Sequence, residues 1–325
     1  MESFNELYLL AKEKIINADN IAIITHINPD GDCIGSAAAL RELILSFGKD
    51  ASIYNENGCP ASLGFIEDCK SVCTCSNPDT KYDLVIWVDC GSLDRAGKVA
   101  WVFNSCKYMI NIDHHATNTM FADINIVDGK ASATGLLIYD FFVACSAEIT
   151  KHTAELLYMA IATDTGNFSY ASTDKRTHIV AGELIEKGID VAGLSQKLFR
   201  ATTYNRLKLM QLALGTLKMY CDGKVAVMNV TKAMFSETGT DSSDSEGFIG
   251  YARDIGGVEV AALLRDTTDG KLVKVSLRSN SNTDVSKIAE ELGGGGHFNA
   301  AGFSMEGKIP DVEKILIERI SKVIQ

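Results

Sequence analysis

The chain has 325 residues, 46% of them hydrophobic and 22% charged, with 27 glycines, 4 prolines and a formal net charge of −11. This composition excludes a disordered or fibrous chain, and the length exceeds what one core usually serves, so two domains are expected. The acidic balance excludes charge-driven binding of long duplex nucleic acid, but leaves room for a small phosphorylated substrate met by bound divalent cations.

No apolar run approaches the ~20 residues that span a bilayer, and the start Met1-Glu2-Ser3-Phe4-Asn5-Glu6 lacks a basic, then apolar, leader. A cytoplasmic protein without membrane partners is expected. Nine cysteines are an odd number scattered along a long chain, which argues against a disulfide framework. Cys69, Cys73 and Cys75 cluster without a paired Cys-x-x-Cys or a nearby histidine, so they read as ordinary thiols rather than a zinc site.

In chain order, Ile21–His26 reads as a buried strand and Gly35–Phe47 as a helix with Ala37, Ala38, Leu40, Leu43 and Ile44 on its apolar side. Ala51–Tyr54, Leu84–Asp89, Met109–Asp113 and Ile124–Val127 are further strands, followed by helices near Ala131–Val143 and His152–Thr163. This rhythm predicts an α/β fold with a largely parallel sheet and helices on both faces. Residues 174–220 read as helical without a clear strand. A second region then carries strands at Val225–Val230, Glu259–Arg265 and Val273–Leu277 and helices at Val285–Leu292 and Val312–Ile320. The expected organisation is a parallel-sheet domain over 1–185, a helical linker over 186–222 and a smaller α/β domain with a mixed sheet over 223–325.

Three strands run into polar side chains: Ile21–Thr25 into His26, Leu84–Val88 into Asp89, and Met109–Ile112 into Asp113-His114-His115. Ligands of open α/β sheets bind at the carboxyl ends of strands, so these groups are placed for chemistry. The run His26-Ile27-Asn28-Pro29-Asp30-Gly31-Asp32 gathers an imidazole and two carboxylates at a turn, with Gly31 expected to supply the bend. Mixed His and Asp donors suit divalent metals, although alone this run also reads as an Asx-rich turn capping a helix. Asp89 after apolar strand residues is costly to bury without a counter-charge. A fourth element, Thr163-Asp164-Thr165-Gly166, adds another aspartate at a helix end.

These four elements, in this order, resemble the DHH phosphoesterase superfamily, named for the triplet seen here as Asp113-His114-His115. Near the C-terminus, Gly293-Gly294-Gly295-Gly296-His297 and the following Ala300-Ala301-Gly302 resemble the glycine signature of the DHH-associated C-terminal domain, and Arg278 resembles its substrate-gripping arginine. Consecutive glycines let backbone amides approach a phosphate, and a packed loop fits the small residues that follow better than a linker does.

The resemblance implies a metal-dependent phosphoesterase. His26, Asp30 and Asp89 would hold one divalent ion and Asp32, Asp89, His114 and Asp164 a second, with Asp89 bridging. Mn²⁺ is the expected metal, with Mg²⁺ or Co²⁺ as alternatives. His115 would face the phosphate and Asp113 would orient a histidine, both in catalytic roles. Arg278, His297 and the backbone of Gly295 and Gly296 would grip the substrate.

The layout is similar to the compact bacterial oligoribonucleases of the superfamily, implying short single-stranded RNA or small adenine nucleotides such as 3′-phosphoadenosine 5′-phosphate as substrates. A cyclic or linear di-adenylate phosphodiesterase would use the same residues, and a non-catalytic nucleotide-binding scaffold is the reading from another class. The glycine signature argues against the DHH pyrophosphatases. Exposed sheet edges leave a homodimer open.

Overall fold

The computed structural model describes residues 4–74, 81–200, 202–267, 270–280 and 283–324, with backbone alone at 100–105 and 297. The chain divides into two compact units, Met1–Ala201 and Thr202–Gln325.

The first unit runs α1 (Phe4–Asn17), β1 (Ile21–Thr25), α2 (Gly31–Ser46), β2 (Ala51–Tyr54), β3 (Val72–Cys73), β4 (Tyr82–Val88), β5 (Cys106–Asp113) and β6 (Ile124–Val127). It closes with α3 (Thr134–Ala144), α4 (Lys151–Asp164), α5 (Lys175–Glu186) and α6 (Val191–Ser195). Its six strands pair in the order β3-β2-β1-β4-β5-β6, every pair parallel. Successive strand residues face opposite ways. Ile21 and Ile23 thus pack with Tyr8, Leu40, Phe141 and Leu157 of the α-helical layer. Ala22, Ile24, Val85 and Trp87 face the other side, where Ala96 and Val99 of the 3₁₀ segment Leu93–Ser105 cover them.

The order reverses between β1 and β4, which lie side by side while their following connections leave in opposite directions. Such a switch point opens a crevice at the carboxyl ends of the two strands. His26 follows β1 and Asp89 follows β4, so two of the chemistry-bearing residues sit at its rim.

Cys69 is bonded to Cys59, with Cα atoms 5.3 Å apart. This corrects the reading of Cys69 as an ordinary thiol. Cys73 is free and exposed, and Cys75 lies outside the described residues.

The second unit runs α7 (Tyr204–Leu214), β7 (Lys218–Tyr220), β8 (Val225–Val230), α8 (Lys232–Thr238), α9 (Phe248–Arg253) and β9 (Val260–Asp266). It continues with β10 (Leu272–Ser279), α10 (Val285–Glu291), β11 (Gly295–His297), β12 (Ala300–Glu306) and α11 (Ile309–Ile320). Its sheet order is β11-β12-β10-β9-β8-β7, with β8 and β9 parallel and the other pairs antiparallel. Val227, Ala262, Val275 and Leu277 pack under α10 and α11 through Ile288 and Leu316. Met228, Ala261 and Leu263 pack on the other face with Leu209 of α7 and Phe248 of α9. β7 lies in the stretch read as helical, and β11 and β12 in the stretch read as a loop. No helix among the described residues is long and apolar enough to cross a membrane.

Candidate metal centre

The turn after β1 is built differently from its sequence reading. The left-handed residue is Asn28, at φ 55°, whereas Gly31 is already the first residue of α2. Asp30 caps that helix, its Oδ1 accepting from the Cys33 amide at 3.0 Å. Gly31 is needed for another reason. A Cβ there would lie 2.4 Å from the Thr163 side chain of α4. The helix start, earlier than expected, puts Asp32 in the first turn of α2, 1% exposed and facing the crevice. Asp89 leaves β4 in the left-handed region at φ 56°, a conformation that aspartate tolerates better than branched residues do. That kink turns its carboxylate to His26, whose Nε2 is 3.3 Å from Asp89 Oδ2.

His114 arrives from the end of β5 and Asp164 from the end of α4. His114 Nε2 stands 3.4 Å from Asp164 Oδ2, 3.7 Å from Asp89 Oδ1 and 3.9 Å from Asp32 Oδ2. One carboxylate, Asp89, therefore lies between two imidazoles. Asp32, His114 and Asp164 form one group of converging donor atoms, Asp89, His114 and His115 a second, and His26, Cys33 and Asp89 a third. Asp30 lies outside these groups. Its charge nonetheless acts on His26, Asp32 and Asp164.

The imidazoles are prepared for cations by their backbone partners. His26 Nδ1 is 2.7 Å from the Ile27 carbonyl and His114 Nδ1 is 3.1 Å from the Ala131 carbonyl. A carbonyl oxygen only accepts, so each Nδ1 carries a proton, and each Nε2, aimed at the aspartates, is the nitrogen left to bind a cation once it gives up its own proton. This is the arrangement in which metal-binding histidines are held by a second partner. His115 is different. Its Nδ1 donates to Asp113 Oδ1 at 2.6 Å, while Asn118 Nδ2 donates to Asp113 Oδ2 at 2.6 Å. Asp113 is fully buried and His115 is 41% exposed.

The electrostatics expose the cost of this assembly. Burial, with Asp89, Asp164 and Asp30 nearby, pushes Asp32 well above the usual carboxylate range. Burial likewise raises Asp164 to about 6, against a lowering pull from His114. Asp89 resists its burial because the hydrogen bond and charge of His26, with His114 and His115, hold it below its ordinary value. The hydrogen bond to Asp113 raises His115 to about 9, against desolvation. Like-charged carboxylates sharing a desolvated site repel unless cations enter. Three converging aspartates, with Asp30 nearby, and the two imidazoles make a donor set that fits divalent metal ions.

Several contributors escaped sequence reading. The amides of Thr134 and Gly135, at the start of α3, donate to Asp32 at 2.7 and 2.9 Å, and Thr134 Oγ1 donates to Asp89 Oδ1 at 2.8 Å. Thus a helix N-terminus supports both carboxylates. Ser36 Oγ donates to Asp32 at 2.9 Å, one helical turn on. Only the small-residue run Ala131-Ser132-Ala133-Thr134-Gly135 offered a sequence signal for this helix start. Cys33 and Asn118 offered none.

In the second unit, Arg278 is in β10, paired across from Ala300 and Ala261. Its Nη1 donates to the carbonyl of Leu277 at 2.9 Å, and burial lowers its affinity for a proton. The glycine run is packed rather than slack. Gly295 and Gly296 pair with Gly302 and Ala301, and a Cβ on Gly296 would lie 2.5 Å from the Ala300 carbonyl. His297 continues that strand opposite Ala300, and its side chain lies outside the described residues.

Comparison with known proteins matches residues 20–161 to the DHH family N-terminal domain and residues 222–325 to the DHHA1 domain. The chain is 35% identical over 289 residues to the bifunctional oligoribonuclease and PAP phosphatase NrnA of Thermus thermophilus, covering 88% of this chain and 84% of that one. It is 31% identical over 298 residues to the probable bifunctional oligoribonuclease and PAP phosphatase NrnA of Streptococcus mutans, covering 90% and 91%. The fold is similar to the crystal structure of an exopolyphosphatase-related protein from Bacteroides fragilis, with a TM-score of 0.89, 28% identity and coverage of 98% and 96%.

Proposed function

The chain belongs to the DHH family, and from that membership we propose that it is a divalent-metal-dependent phosphoesterase that hydrolyses short oligoribonucleotides to mononucleotides and removes a phosphate from 3′-phosphoadenosine 5′-phosphate. The observation that carries the reading is the Asp89 carboxylate, set between the Nε2 atoms of His26 and His114 with Asp32 and Asp164 beside it.

His26, Asp30, Asp32, Asp89, His114 and Asp164 would together hold two divalent cations, with Asp89 shared. Carboxylate-rich donors with some imidazole favour Mn²⁺ over a thiophilic metal. Bound there, the pair supplies the charge that polarises a phosphoester and acidifies a water. The protein's own groups do the rest. Thr134 and Gly135 hold Asp32 and Asp89 against rotation. The carbonyls of Ile27 and Ala131 keep His26 and His114 in one tautomer. His115, protonated through Asp113, offers an N–H to a phosphate or leaving oxygen. Arg278, His297 and the amides of Gly295 and Gly296 are the proposed grip on the substrate, with Arg278 suited to a phosphate or a base plane.

The test is Mn²⁺-dependent hydrolysis of a two-to-five-nucleotide RNA, run beside 3′-phosphoadenosine 5′-phosphate, cyclic di-adenylate and pyrophosphate. The expected result is mononucleotide release from the RNA and phosphate release from the adenosine bisphosphate, both falling at least ~10³-fold in Asp89→Ala. Preferential cleavage of cyclic di-adenylate would transfer the protein to signalling. No turnover of any substrate with metal bound would reject catalysis.

A further inference from the structure

A second group of metal-ligating side chains converges in the first unit, away from the strand ends. Glu42, Asp68 and His152 each offer a donor atom, and these atoms lie within 4.8 Å of one another. They come from three separate elements. Glu42 is near the end of α2, His152 is in the first turn of α4, and Asp68 is in the 3₁₀ turn Glu67–Ser71.

Their meeting follows from how α2 and α4 pack. Gly31 abuts Thr163, while Gly35 abuts Leu156, Met159 and Ala160. The helices are therefore antiparallel and close. Asp32 and Asp164 share one end of the pair, and Glu42 and His152 share the other. At 1.5 Å per residue the two ends are ~15 Å apart, too far for the groups to serve the same ion.

Asp68 carries the observation that points to a ligand. Its side chain is 11% exposed, and its Oδ2 is buried with no hydrogen-bond partner. His152 Nε2 stands 3.0 Å from that oxygen without the alignment of a hydrogen bond. A protonated His152 pairs with that oxygen by charge, and a buried carboxylate oxygen without an aligned donor has its burial only partly offset. An imidazole nitrogen and a carboxylate oxygen at this separation are spaced much as two tetrahedral ligands of one cation, ~3.3 Å apart for bonds of ~2.0 Å. The bond between Cys59 and Cys69 ties down the residue that follows Asp68.

We infer that Glu42, Asp68 and His152 form a separate divalent-cation site of one imidazole and two carboxylates, suited to Zn²⁺, with water completing its shell. The ion clips the Asp68 turn onto the remote end of the α2–α4 pair. His152, 47% exposed, gives it access.

The test uses the full-length protein, stripped of metal and titrated with Zn²⁺ against a chromophoric chelator. Asp89→Asn weakens the strand-end cluster and serves as the parent. The parent is expected to bind one more equivalent of Zn²⁺ than either Asp89→Asn/His152→Gln or Asp89→Asn/Glu42→Gln. Zn²⁺ is also expected to raise the Tm of the parent more than that of either double variant, with matching circular dichroism as the check on folding. Equal stoichiometry and equal Zn²⁺-induced shifts in parent and double variants would overturn the assignment.

Discussion

His115 shows how a single residue's chemistry is set by its neighbours. Its imidazole is raised to about 9 chiefly by the hydrogen bond to Asp113. The charged form is therefore favoured in the fold, and this pairing contributes stability fully below the ordinary histidine value, losing it as pH rises through about 9. If His115 donates a proton or an N–H to the substrate, kcat/KM should fall over the same alkaline range. Asp113→Asn removes the cause and moves that limb down toward ~6.5, giving roughly a 30-fold loss at pH 8 with a small loss at pH 6. Bound cations lower both limbs, so the separation between the two profiles at saturating Mn²⁺ is the quantity to measure. Coincident profiles would show that Asp113 holds only structure. His26, Asp89 and His114 stood out in the sequence because a polar group at the end of a buried strand is costly unless something binds it, whereas Asp32 was read from the turn motif that holds His26, and Asp164 from a helix end and the order of the family's motifs. Thr134, Ser36 and Asn118 were not, because a hydroxyl or amide gains its role only from a partner that the fold delivers. For Thr134 that partner is Asp32, 102 residues away.

At the scale of elements, α2 and α4 are what bring Asp32 and Asp164 together, and their closeness depends on Gly35. A Cβ there would lie 2.6 Å from the Leu156 carbonyl and 3.0 Å from Met159 Cε. The backbone oxygen cannot step aside as a side chain can. Gly35→Val is thus expected to cost about 1–3 kcal/mol, read as a lower urea midpoint, and to weaken Mn²⁺ binding by spreading the two helices. An unchanged midpoint would mean that the helices are free to separate. Strands rich in Val and Ile were readable, β1, β4, β5 and β8 among them. β12 begins Ala300-Ala301-Gly302, residues with little strand preference of their own. It forms because β10 supplies a full register of partners, and Gly302 accommodates the Val275 carbonyl, which a Cβ would meet at 2.7 Å. The start of α2 was misplaced because Pro29 and Gly31 signal a break, whereas Asp30 between them is a helix cap.

Over the whole molecule, the alternation of strands and helices in the first half and the mixed pattern in the second were enough to expect two α/β units, one with a parallel sheet and one with a mixed sheet. Strand order was beyond reach. Nothing in the local sequence says that β1 lies between β2 and β4, yet that placement creates the switch point where His26 and Asp89 face each other. On the proposed reading, side chains from the ends of β1, β4, β5 and α4 and from the start of α2 hold two metal ions with Asp89 between them. Crystals of the full chain grown with Mn²⁺ and measured at the manganese absorption edge test this directly. Two anomalous peaks are expected ~3.5–4 Å apart, both within bonding distance of Asp89, one beside His26 and the other beside His114. A single peak, or a pair in which neither ion touches Asp89, would contradict it.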